Sequence, residues 1–108
     1  MSTDIDYEIQ TDDYTIIPIT IINNSEIILV YGEHFVLQKY ENNEWKSISL
    51  GYSFPGIGYT LYPNLTHTLN HLIPSNPTAG KYRICKDFDE EESERRWIFI
   101  VEFNLGTD

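Results

Sequence analysis

"AGKYRICKDFDEEESERRW", residues 79–97, governs how the rest of the chain is read. Its first half alternates as a strand does, with Tyr82 and Ile84 to one side and Arg83 and Cys85 to the other. Its second half carries six acidic residues between Asp87 and Glu94, then runs into "RRWIFIVEFNL", residues 95–105. There Trp97, Phe99, Val101 and Phe103 share one face by the two-residue period, and Ile98, Ile100 and Glu102 take the other. The pattern predicts a final pair of strands joined by an acidic loop. The loop has room for one helical turn capped by Asp87 or Asp89.

Working outward, the same signals recur every ten residues or so. "IDYEI" (5–9) alternates apolar with polar, and "YTIIPITII" (14–22) is β-branched and ends at a turn cluster, Asn23-Asn24-Ser25. Pro18 inside that run cannot donate to a ladder, so the strand is expected at an edge or with a bulge there. "IILVY" (27–31) and "HFVLQKY" (34–40) flank Gly32 as a bend, and Asn42-Asn43 makes a hairpin turn into "WKSISL" (45–50). "GYSFPGIG" (51–58) is a loop, "YTLYP" (59–63) a short strand, and "THTLNHLI" (66–73) a further strand closed by "PSNPTAG". About seven short antiparallel strands predict an all-β sandwich, with a barrel as the competing closure.

The length of 108 residues fits a single domain spanning 1–108. The net charge of −10, with only seven Lys and Arg, argues against nucleic acid as a partner. No apolar run approaches a membrane span, so membrane insertion is not expected. A single cysteine permits no internal disulfide. The sequence from Met1 shows no signal peptide, which predicts a cytoplasmic location as written, or a cell-surface or secreted one if a leader has been removed.

The order of several short motifs settles sandwich against barrel. Asn23 ends a strand; Gly32, Phe35 and Leu37 follow as Gly-x-x-Phe-x-Leu; then come a hairpin, Trp45, Leu61-x-Pro63, and Gly80-Lys81-Tyr82-Arg83. This order resembles the bacterial immunoglobulin-like domains of Gram-positive bacteria across residues 7–105. The resemblance implies an immunoglobulin-like β-sandwich and supplies no catalytic residue. Where those domains usually have glycine after the proline, this chain has Asn64, which also accepts a left-handed turn. A weaker similarity is to the intracellular proteinase inhibitors of Bacillus. It fails at the opening of the penultimate strand, where this chain reads Ala79-Gly80 with Pro77 two residues earlier. In immunoglobulin-like sandwiches a tyrosine at the start of that strand bonds back to upstream backbone and locks the corner, a role that fits Tyr82 with Ile84 facing inward.

The chemistry-bearing residues give no enzyme. Arg83 and Lys86 flank Cys85 and could activate its thiol, but a nucleophile needs a base and an orienting acid, and no spacing ties His34, His67 or His71 to it. His67 and His71 would share a metal on a helix; on a strand they stand about 13 Å apart. The acidic run lacks the glycine of a calcium loop. No cofactor or metal is expected. Two segments suit contact with a protein partner. One is Tyr52, Phe54, Ile57 and Tyr59 on the Gly-rich loop, with the alternative that Phe54 and Ile57 plug the end of the sandwich. The other is Asp89, Glu90, Glu91 and Glu92, able to dock a basic protein surface. Trp45 and Trp97 are expected in the core. The leading function is a non-enzymatic protein-binding or accessory module. The alternatives are an intracellular proteinase inhibitor and an acidic decoy inhibitor of a nucleic-acid enzyme, of the kind phages use. The partner's identity and the oligomeric state stay open.

Overall fold

The computed structural model describes residues 2–5, 9–10, 14–54, 56–75 and 77–106. Ten strand segments and no helix are found among them: β1 (Ser2–Ile5), β2 (Ile9–Gln10), β3 (Tyr14–Ile22), β4 (Leu29–Gly32), β5 (Val36–Glu41), β6 (Glu44–Ile48), β7 (Gly58–Leu61), β8 (Thr66–Pro74), β9 (Gly80–Glu90) and β10 (Arg96–Leu105). They form two antiparallel sheets. In the first, β8 pairs along the whole of β3, so β1 and β2 lie along the other edge of β3. In the second, β10 pairs along one edge of β9, while β5 and β4 line up end to end along the other; β6 then pairs with β5, and β7 with β4. Of the strand expected at 5–9, residues 6–8 lie outside the described residues.

Pro18 lies within β3, opposite Asn70 of β8. Among the described residues β1 pairs with residues 19–22 of β3 and β2 with Thr15 and Ile16, to either side of it. The hairpin between β5 and β6 turns on Asn42 (φ 52°) and Asn43 (φ 65°), both left-handed as a tight two-residue turn requires. Glycine is the better residue at its second position. Asn43→Gly is expected to raise the unfolding free energy by about 0.5–1 kcal/mol, read as a higher urea midpoint at unchanged slope.

The apolar residues facing between the sheets fall into two clusters. One gathers Ile17, Ile19, Phe35, Leu37, Ile73, Tyr82, Ile84 and Leu105; the other gathers Ile21, Leu29, Tyr31, Leu61, Leu69 and Phe88. β3, β8 and β9 contribute to both. Tyr82 is buried and its hydroxyl donates to the Thr78 carbonyl at 2.6 Å, four residues upstream. That bond ties the turn before β9 to the strand, as the corner reading expects.

Asn23 does the corresponding work at the opposite end. Its side chain is fully buried, and Nδ2 donates to the carbonyls of Ile27 and Leu61, each at 2.9 Å. Oδ1 accepts from the backbone N–H and the hydroxyl of Ser25. Its own backbone exchanges bonds with the turn before β8, donating to Leu65 and accepting from Asn64. One side chain thus joins the loop after β3, the segment leading into β4 and the end of β7. The turn residue read from the sequence is a buried hub.

Two expectations about this sheet are corrected. β9 continues to Glu90, so Asp87, Asp89 and Glu90 are strand residues and no helical turn forms. The reason is cross-strand pairing: Arg96 Nε lies 3.1 Å from Asp89 Oδ1, and Trp97 Nε1 donates to Glu90 Oε2 at 2.9 Å. The link is the short turn 91–95, closed by the Glu90 N–H on the Arg95 carbonyl. Neither tryptophan belongs to the core clusters. Trp45 lies on the outer face of the second sheet, under the Arg83 guanidinium at 4.2 Å, and Trp97 is 39 % exposed.

Candidate functional site

Three places in the fold concentrate chemistry. The first is a polar waist between the two apolar clusters. Along β9 the inward side chains are Tyr82, Ile84, Lys86 and Phe88, so Lys86 points into the sandwich and away from Cys85. Its ammonium donates to the carbonyls of Gly32 (2.7 Å) and His34 (3.1 Å). These are backbone groups at the break between β4 and β5, and the lysine caps what the ladder leaves free there. Burial lowers its pKa to about 8, against the opposing pull of the Glu33 and Asp87 carboxylates.

His71 of β8 stands beside it, fully buried. Its Nδ1 lies 3.3 Å from the Ile17 carbonyl and its ring packs edge-on to Phe35. Nε2 has no hydrogen-bond partner. Burial, then the positive charge of Lys86, push its pKa down to about 4, so the ring is neutral at ordinary pH. His67 faces the same interior but has separate partners. Its Nδ1 meets the Tyr31 hydroxyl, and its ring lies 4.8 Å from that of Tyr59, whose own hydroxyl bonds to Glu33. The two histidines therefore serve different neighbours, as the strand spacing expects. Among the described residues no group of three His, Cys, Asp or Glu side chains is placed to hold a metal ion.

The waist was missed from the sequence, where Lys86 counted only as a charge near Cys85. The two-residue period carried the signal: a lysine in step with Tyr82, Ile84 and Phe88 must face inward. Cys85, on the outer face, has Gln38 for its polar neighbour at 3.8 Å, and burial raises its pKa, so it stays a thiol.

The second place is the Gly-rich loop. Phe54 packs onto the first apolar cluster and meets Phe35 and His34 edge-on. Tyr52 donates its hydroxyl to the Leu72 carbonyl at 2.7 Å and packs against Tyr14. Tyr59 lies in β7, stacked on Tyr31. Of the four, only Ile57 is largely exposed, at 52 %.

The third is the end of the sandwich where Asn23 sits. Glu26, Glu90, Glu91, Glu92 and Ser93 surround a depression of about 270 Å³ floored by Ile27 and Ile28. The Glu91 N–H donates to the Ile28 carbonyl, holding the two loops together. Ile27 also lines an apolar pocket of about 200 Å³ with Ser25, Trp97 and Phe99. Glu90 connects the two, accepting from the Trp97 indole and lying 3.9 Å from the Arg95 guanidinium. Asp89, on the strand just behind, is engaged by Arg96.

A family model described as bacterial Ig-like domain matches residues 1–97. The chain belongs to the bacterial Ig-like domain family. The sheet pairing agrees, and the family is typically non-catalytic. The match ends at the second residue of β10, so most of that strand lies past it. Among solved structures the bacterial Ig-like chain is similar to a protein from Archaeoglobus fulgidus. The identity is 14 % and the TM-score 0.52, over 100 % of this chain and 97 % of that one, a likeness of fold alone. No curated protein matches the sequence.

Proposed function

We propose that this bacterial Ig-like domain is a non-catalytic protein-binding module, and that its acidic end docks a basic segment of a partner. The observation that carries this reading is the adjacency at that end. An apolar pocket walled by Ile27, Trp97 and Phe99 opens beside a depression ringed by four glutamates. Such a surface suits an apolar anchor flanked by Lys or Arg, with the pocket giving affinity and the carboxylates steering and register. The loops supply the contact and the sandwich holds them in place.

The test follows Trp97 emission, on a Trp45→Phe background, while a short peptide with one Leu between Lys and Arg residues is titrated in. An acidic peptide of the same length is the control. Glu26→Gln, Glu91→Gln and Glu92→Gln combined should weaken binding about tenfold, as should raising salt from 0.05 to 0.5 M. Equal binding of both peptides, or a triple variant indistinguishable from the parent, would sink the reading.

A further inference from the structure

We propose that two copies of this chain pair edge to edge through β10, antiparallel, about a twofold axis at Phe99. This does not rest on the acidic end. Among the described residues β9 is the only strand that β10 pairs with, and its other edge carries no ladder from them. Edges of this kind are ordinarily blunted with lysine, proline or a bulge. The centre of β10, Trp97–Val101, is five apolar residues in a row with none of these. The described N-terminal strands, β1 and β2, pair with β3 in the other sheet. On the outer face Ile98 is 63 % and Ile100 53 % exposed, bracketed by exposed Arg96 and Glu102.

The order of these four residues is what selects a second copy. In an antiparallel pair centred on Phe99, Arg96 stands opposite Glu102 of the second copy and Ile98 opposite its Ile100. The twofold axis repeats both pairs. On the inner face Trp97 meets Val101 and Phe99 meets its own counterpart, extending the apolar layer. Moving the centre to Ile98 sets Arg96 against Ile100 and Glu102 against Glu94. Moving it to Ile100 sets Ile98 against Glu102. A half-step turns the outer face of one copy against the inner face of the other. Only the Phe99 register matches charge with opposite charge and apolar with apolar. Within each copy Arg96 already meets Asp89 and Glu102 meets Lys81, so the charge alternation carries across the joined sheets.

Disulfide trapping on a Cys85→Ser background reads the register directly, since opposed residues on paired strands lie within disulfide reach. A mixture of the Ile98→Cys chain with the Ile100→Cys chain should give the mixed dimer on oxidation, and neither chain alone should cross-link to a comparable extent. Sedimentation velocity on the unmodified full chain should show a concentration-dependent dimer. Arg96→Glu or Glu102→Arg alone should weaken it about tenfold, and the two together should restore it. Far-UV circular dichroism confirms that each variant is folded. A chain that stays monomeric at every concentration, a dimer indifferent to both charge reversals, or self-cross-linking of Ile98→Cys or Ile100→Cys equal to that of the mixture would each overturn the proposal.

Discussion

Replacing Asn23 with alanine is expected to lower the unfolding free energy by about 3–5 kcal/mol, a large fraction of the roughly 5–15 kcal/mol that a domain of this size possesses. The loss arises because the amide is the hydrogen-bond partner of two buried carbonyls, Ile27 and Leu61, and alanine leaves both without a donor. Each orphaned group costs roughly 1–3 kcal/mol, and the vacated volume adds to it. Ser25 loses its acceptor as well, although water can replace that one. Urea unfolding should show a much lower midpoint with little change in slope. Asn23→Asp separates the donor role from the volume. A carboxylate facing two carbonyls should be at least as damaging at neutral pH, and partly relieved in acid, where the protonated acid regains one donor. A loss below about 1 kcal/mol in Asn23→Ala would show that the end of the sandwich does not depend on this residue.

Acid should strip about 3 kcal/mol through His71 alone. Its folded pKa of about 4 lies below the ordinary 6.5, so the unfolded chain binds the proton more readily. The contribution is therefore complete above pH 6.5 and drains away as the pH falls towards 4. The carboxylates of this acidic chain titrate over part of the same range, so the informative quantity is a difference. Unfolding free energy of the parent minus that of His71→Leu should fall by about 3 kcal/mol between pH 7 and pH 4. A difference that stays flat would mean that the imidazole reaches water in the folded state. Lys86 acts with the same sign in another window. Its pKa is lowered to about 8 from 10.5, so stability should rise as the pH passes from 8 towards 10.5. Above pH 10 Tyr31 opposes this, because burial keeps its hydroxyl protonated and the unfolded chain gives up that proton first.

The parts of the fold that local patterning dictates were legible in the residues. The alternation of 80–105, the hairpin at Asn42-Asn43 and the anchoring hydroxyl of Tyr82 need only a two-residue period, a left-handed pair and a corner. What stayed hidden depends on groups far away in sequence. Lys86 is tolerated inside because the carbonyls of Gly32 and His34, some fifty residues earlier, are free where β4 gives way to β5. Phe54 turns inward, one of the two readings the loop left open, because Phe35 and His34 leave it a place to pack, and the composition of a Gly-rich loop does not decide between them. Trp97 stays at the surface because Glu90 takes its indole N–H. The edge of β10 is an intermediate case. Its alternation was plain, but that its outer edge has no partner among the described residues is a matter of topology.

The polar waist has a consequence for how the domain loosens. Lys86 and His71 interrupt the apolar packing midway along β9 and β8. Leu69 and Phe88 fall on one side, and Ile73, Tyr82 and Ile84 on the other. The interior is two small compartments threaded on three shared strands. Across the waist the apolar link runs past Ile19 and Ile21 on β3 and past Val101 and Phe99 on β10. Any separate opening of the acidic end, around Ile21, Leu29 and Phe88, has to part that link while the compartment under Tyr82 stays shut.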